Sequence, residues 1–110
     1  MSHPAMSPGN VAVITGGASG IGLAAAMRFA HLGMKVCIAD VGEDRLAAAA
    51  TGLASVARGG AADVMTAPAD VSRFEDVEGL EAAVRKRFGG TDILMNNAGI
   101  GGSGGTLFGA

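Results

Sequence analysis

Apolar and polar residues along this chain keep two different rhythms, one suited to strands and one to helices. NVAVIT at 10–15 is short, β-branched and apolar on both faces, which predicts a fully buried strand, and KVCIAD at 35–40 predicts a second. Between them IGLAAAMRFAHL at 21–32 fits a helix, with Ile21, Ala24, Ala25, Met27 or Arg28, and Leu32 near i, i+3, i+4 spacing and Gly33 as its stop. EDRLAAAATGLASV at 43–56 predicts a second helix: two acids suit its N-terminus and strong helix formers follow, although Gly52 weakens its end. DVMTAPADV at 63–71 holds a poorer third strand, in which Pro68 fits an edge position better than a central one. Ser72 and Glu75 then match the spacing of a capping box. Behind that cap Phe74, Val77, Leu80, Val84 and Phe88 form one apolar stripe, with Glu81 and Arg85 paired at i, i+4 on the solvated side. DILMN at 92–96 predicts a fourth buried strand, and the final GGSGGTLFGA carries five glycines and no periodicity.

Strand and helix therefore alternate from residue 10 to residue 96, the mark of βαβ units. The fold class expected is α/β, a Rossmann-type doubly wound parallel sheet of about four strands and three helices, with right-handed crossovers. At 110 residues the chain has room for one domain at most. It divides into a disordered N-terminus at 1–9 and one α/β segment at 10–110. A composition of 49% hydrophobic and 16% charged residues argues against intrinsic disorder. A net charge of -2 supplies no basic field, so no nucleic acid partner is expected. No run approaches the ~18 to 20 apolar residues that span a bilayer. MSHPAMSPGN has no secretory character, so no membrane partner is expected and the default location is cytoplasmic. The single cysteine, Cys37, lies in an apolar run and reads as a buried thiol, which leaves no disulfide framework and no cysteine-based metal site. No histidine and acid cluster has metal-ligand spacing, so no metal is expected, and His31 reads as a partner of a helix C-terminus.

The chemistry concentrates in TGGASGIG at 15–22, four glycines in eight positions where the first strand ends. A helix beginning near Gly20 would aim its free N–H groups and its positive dipole end at whatever occupies the turn, and a pyrophosphate suits that position. Glycine helps because a β-carbon would hold phosphate oxygens away from the backbone donors. A tight turn with no ligand is the plainer alternative. A P-loop would need a lysine followed by Ser or Thr, and Gly22 is followed by Leu23. G-x-G-x-x-G/A can be drawn through Gly20, Gly22 and Ala25, but its register starts five residues after Thr15. T-G-x-x-x-G-x-G, met by Thr15, Gly16, Gly20 and Gly22, puts its first glycine directly at the strand end.

On that pattern the sequence resembles the short-chain dehydrogenase/reductase family, from residue 10 to about 105. Asp40 closes the second strand 24 residues after Gly16, near the ~20-residue offset of an acid that binds the adenosine ribose hydroxyls. Asp70 and Val71 match the pair that the family sets against the adenine ring. NNAG at 96–99 matches its signature after the fourth strand, with Asn97, Ala98 and Gly99 beside the cofactor. The resemblance implies a dinucleotide held by Gly16, Ser19, Gly20, Ile21, Gly22, Asp40, Asp70, Val71, Asn97, Ala98 and Gly99. Each signal also has a local alternative: Asp40 as a turn acid, Asp70 as part of the cap before Ser72, NNAG as a loop. The expected cofactor is NAD. Asp40 would repel a 2′-phosphate; the position just before the second motif glycine, where NADP-preferring members often carry a basic residue, holds Ser19, and Val41 after Asp40 is also uncharged.

The family's reaction moves a hydride between the nicotinamide and a carbinol or carbonyl carbon, using a tyrosine, a lysine four residues on, and a serine. This sequence has no tyrosine, Lys35 and Lys86 fall elsewhere, and Ser103 follows NNAG too closely, so no catalytic residue is assigned. The expectation is an N-terminal part of a longer enzyme, inactive by itself, with Thr106, Leu107 and Phe108 leading into a further helix. An unpaired apolar edge on the fourth strand would then invite association. For the intact parent the resemblance implies a small-molecule alcohol or carbonyl substrate and a homo-oligomer. A non-catalytic dinucleotide-binding module and an S-adenosylmethionine-dependent methyltransferase are the alternative functions.

Overall fold

A computed structural model describes residues 6–97 and the strand at 106–108. Its elements follow the predicted alternation: β1 (Val11–Thr15), α1 (Gly20–His31), β2 (Lys35–Asp40), α2 (Glu43–Val56), β3 (Val64–Pro68), α3 (Phe74–Phe88), β4 (Ile93–Asn96) and β5 (Thr106–Phe108). A 3-10 turn at Gly60–Asp63 leads into β3. The sheet order is β3-β2-β1-β4-β5, with the first four strands parallel. β3 is an edge strand, the position that suits Pro68, because the N–H it lacks would leave a central strand one ladder donor short.

Strand alternation sorts the core into two layers. Ala12, Ile14, Val36 and Ile38 face α1 and α2 and meet Ala26, Phe29, Ala30, Leu46, Ala49 and Leu53. Val11, Val13, Cys37 and Ala39 face the opposite way and meet Leu80 and Val84 of α3. Helices therefore cover both faces, which makes the sheet doubly wound. The chain is tied in ahead of β1 as well. Met6 packs on the first layer and the Gly9 N–H donates to the Gly33 carbonyl (3.0 Å), so the loose segment expected over 1–9 does not reach Met6.

Several local expectations need correction. The buried face of α1 is Gly22, Ala26, Phe29 and Ala30, not the stripe through Ile21, Ala24 and Leu32. Almost every position of this helix is apolar, so periodicity alone leaves its rotation open; it turns Gly22 toward the turn it follows. The capping box does not form. α3 starts at Phe74 with Arg73 as its N-cap, and Ser72 bonds Asp70 instead of the helix backbone. The α3 stripe is only half used: Leu80 and Val84 are buried, while Phe74 is 71% exposed and Val77 37%. β4 is likewise buried only at Ile93. Its outer edge is not open, because Thr106–Phe108 pairs with it antiparallel, Leu94 opposite Phe108 and Asn96 opposite Thr106. The segment expected to lead into a helix is thus a strand, and the exposed-edge argument for association loses its basis. A strand's unpaired N–H and C=O groups are a template for any nearby extended segment, and this one takes that place.

Candidate functional site

The register aligns the carboxyl ends of the parallel strands: Thr15 lies opposite Ala39 on one side and Asn96 on the other, and Asp40 lies opposite Pro68. The chain runs outward from β1 to β2 and β3, then returns to β4 on the far side of β1. That reversal opens a crevice at the strand ends, the place where such sheets take ligands.

The turn after β1 is shaped by its glycines. Gly16 and Gly20 have φ of 67° and 58°, the left-handed region that side chains disfavour. The Gly16 N–H donates to the Ala39 carbonyl (2.7 Å), which pins the turn to the end of β2. A β-carbon on Gly22 would run into the Gly16 carbonyl and come 3.0 Å from Nδ2 of Asn97, so only glycine lets α1 begin this close to the strand. At the mouth of the turn Ser19 is the N-cap of α1 but makes no side-chain capping bond, and the first turn of the helix holds no acid. The first turn of α1 therefore supplies no acidic side chain of its own to its positive end. Ile21 projects there, 69% exposed, in place of the core position expected for it.

Asp40 joins this turn. Its Oδ2 accepts from the Ala18 N–H (3.2 Å) and its Oδ1 from the Val41 N–H (2.8 Å), with Nη2 of Arg45 3.8 Å from Oδ1. On the other side of β1, the buried Thr15 hydroxyl donates to Oδ1 of Asn96 (2.7 Å), while the Asn97 N–H donates to the Thr15 carbonyl (3.2 Å) and hydroxyl (3.0 Å). Thr15 therefore holds the start of NNAG in place. Ala98 and Gly99 lie outside the described residues. The Ala69 N–H donates to the Asp40 carbonyl (2.9 Å), which sets Asp70 and Val71 just past the end of β3. Asp70 Oδ1 accepts from the Ser72 hydroxyl (2.6 Å) and N–H (3.0 Å), and these bonds hold its carboxyl below the usual range. Asp40 and Asp70 thus both do local structural work.

The profile of the short chain dehydrogenase family matches residues 10–108. The chain belongs to the short-chain dehydrogenases. It carries this oxidoreductase family's NAD(P)-binding Rossmann fold. It is 44% identical over 98 residues to 3beta-hydroxysteroid dehydrogenase 2 of Eggerthella lenta, covering 89% of this chain and 36% of that one. L-sorbose reductase of Gluconobacter frateurii, solved with NADPH and L-sorbose, superposes with a TM-score of 0.78 at 43% identity over 87% of this chain and 36% of its own. A short-chain dehydrogenase of Burkholderia phymatum, solved with NAD, gives 0.77 at 43% identity over 86% and 32%. The chain spans about a third of the length of the relatives it matches.

In this short-chain dehydrogenase the glycine turn leads into a helix whose start carries no side-chain capping bond. Two contributors escaped sequence reasoning. Thr15 enters the sequence pattern only as the first letter of T-G-x-x-x-G-x-G, and its bond to Asn96 depends on strand pairing. Arg45, in the first turn of the helix after Asp40, comes beside its carboxylate through the fold, and its sequence signal is a basic residue five positions after the acid.

Proposed function

We propose that this chain forms the cofactor-binding part of an NAD-dependent oxidoreductase that transfers hydride between NAD(H) and a small alcohol or carbonyl substrate in the intact protein. The observation that carries the reading is the bond from the Ala18 N–H to the Asp40 carboxylate, which joins the glycine turn and the acid into one crevice. In that crevice Gly16, Ser19, Gly20, Ile21 and Gly22 present the diphosphate-binding backbone, and Asp40 accepts from the adenosine ribose hydroxyls. Asp70 and Val71 flank the adenine, and Asn97, Ala98 and Gly99 border the nicotinamide half. Bound dinucleotide supplies or accepts the hydride. The residues of this chain bind and orient it, and Thr15 holds Asn96 and Asn97 in position.

NAD is the favoured cofactor, by at least about tenfold over NADP, because the anchored Asp40 carboxylate would face a 2′-phosphate. Calorimetric titration of the intact protein tests both steps. NAD should bind and S-adenosylmethionine should not. Asp40→Asn should erase most of the preference for NAD, and equal or tighter wild-type binding of NADP would contradict the assignment.

A further inference from the structure

The segment that joins β3 to α3 holds Asp70 by almost all of its polar atoms. The Asp70 carbonyl accepts from the Arg73 N–H (2.9 Å), and its Oδ1 accepts from the N–H (3.0 Å) and hydroxyl (2.6 Å) of Ser72. Those bonds close inside the loop and would travel with it. The Asp70 N–H instead donates to Oδ2 of the half-buried Asp76 (2.8 Å), in the first turn of α3. That bond ties the loop to a helix whose Leu80 and Val84 are packed against the sheet. In a capping box the acid at the third helical position reaches back to the N–H of the N-cap. Here the Arg73 N–H is taken by the Asp70 carbonyl, and the Asp76 carboxylate reaches three residues further, to Asp70.

One acceptor and one donor are left side by side. Among the described residues Asp70 Oδ2 and the Val71 N–H have no hydrogen-bond partner. Adenine carries the complement along one edge, an exocyclic amino donor beside a ring nitrogen acceptor, whereas hypoxanthine carries the reverse, an exocyclic carbonyl beside a ring N–H.

We propose that Asp76 is a positioning residue for recognition of the base: by holding the Asp70 N–H it fixes the free carboxylate oxygen of Asp70 and the Val71 N–H where the adenine edge can meet both. The inference rests on the dinucleotide reading above. A loop released from α3 keeps its Ser72 and Arg73 bonds, and so its shape, but swings as a unit and loses register with the base. The contacts of the diphosphate at the glycine turn and of the ribose at Asp40 do not pass through Asp76.

The test compares NAD with nicotinamide hypoxanthine dinucleotide by calorimetric titration of the intact protein, since the two differ at the base alone. Wild type should favour NAD by about tenfold or more. Asp76→Ala should weaken NAD about three- to tenfold, change the hypoxanthine form less than about twofold, and so remove most of the preference. Asp76→Asn keeps a carbonyl acceptor within reach of the Asp70 N–H and should retain most of it. Asp76→Ser, one bond too short to make the contact, should behave as Asp76→Ala does and takes its place if the alanine variant fails to fold. A preference unchanged in these two short variants, equal weakening of both dinucleotides, or a wild type indifferent to the base would overturn the proposal while leaving the diphosphate site intact. Failure of the wild type to bind either dinucleotide would overturn the reading beneath it.

Discussion

The two faces of the sheet are built from the same strands and finished to different degrees. On one face α1 and α2 close over Ile14, Val36 and Ile38, which with Leu53 and Met34 are fully buried. On the other, among the described residues, α3 is the helix that covers Val11, Val13, Cys37 and Ala39. Beside it runs a groove of about 280 Å³ bordered by Val13, Val77, Leu80, Val84 and Leu94. The difference lies in helix supply, since strand alternation gives both faces apolar side chains but only the first has two helices. The glycine turn sits at the head of α1, on the finished face, and its backbone donors are held by the better-packed layer.

Substitutions can break or sharpen this contrast, and the largest effect belongs to the closed layer. Leu53→Ala should cost about 2 to 5 kcal/mol in denaturant unfolding, because its cavity has no room to collapse. Thr15→Val should cost about 1 to 3 kcal/mol, since it removes the hydroxyl that serves both Asn96 and Asn97, and it should weaken NAD binding in parallel. Val77→Ala, at the rim of the groove, should cost less than about 1 kcal/mol by the same unfolding measurement, because much of the side chain is already in water. A cost equal to that of Leu53→Ala would mean that the second face is as closed as the first. Glu81→Ala, losing the 2.7 Å surface pair with Arg85, should cost about 0.3 to 0.5 kcal/mol and nothing at high salt.

Cys37 gives a pH test of the same contrast. Burial pushes its thiol from the ordinary 9.0 up to about 12. A raised pKa means that the unfolded chain ionises first, so the contribution of the neutral thiol is complete below pH 9.0 and is lost as pH rises through about 12. Wild type should lose stability over that window more steeply than Cys37→Ala. Cys37 should also resist thiol reagents in the folded state at pH 8, and rapid labelling there would show that the half-covered face opens.

Much of the architecture was legible in the sequence because its signals were local. Val11–Thr15 and Lys35–Asp40 are too apolar and too short to be anything but buried strands, Gly33 ends α1 at a φ of 90°, and Glu81 and Arg85 meet at helical spacing. The positions of the glycine turn and Asp40 at neighbouring strand ends were legible together because their offset follows from one βαβ unit. The rotation of α1 was not, since IGLAAAMRFAHL offers apolar residues on nearly every side. The missing capping box had a similar cause: Asp70 competes for the Ser72 hydroxyl at 2.6 Å and wins it before the helix begins.

What the amino-acid order determined alone was the succession of elements, the glycines that permit α1 to start against β1, and the acid that ends β2. Those depend on period, on a backbone angle and on the absence of a β-carbon, all properties of neighbouring residues. Tertiary structure decided the rest: which face of α1 is buried, that Thr106–Phe108 completes the sheet, that Thr15 reaches Asn96, and that Arg45 comes to rest beside Asp40. Each of these is a meeting of groups whose positions depend on packing or strand pairing, and no local pattern in a chain specifies which surface its neighbour will present.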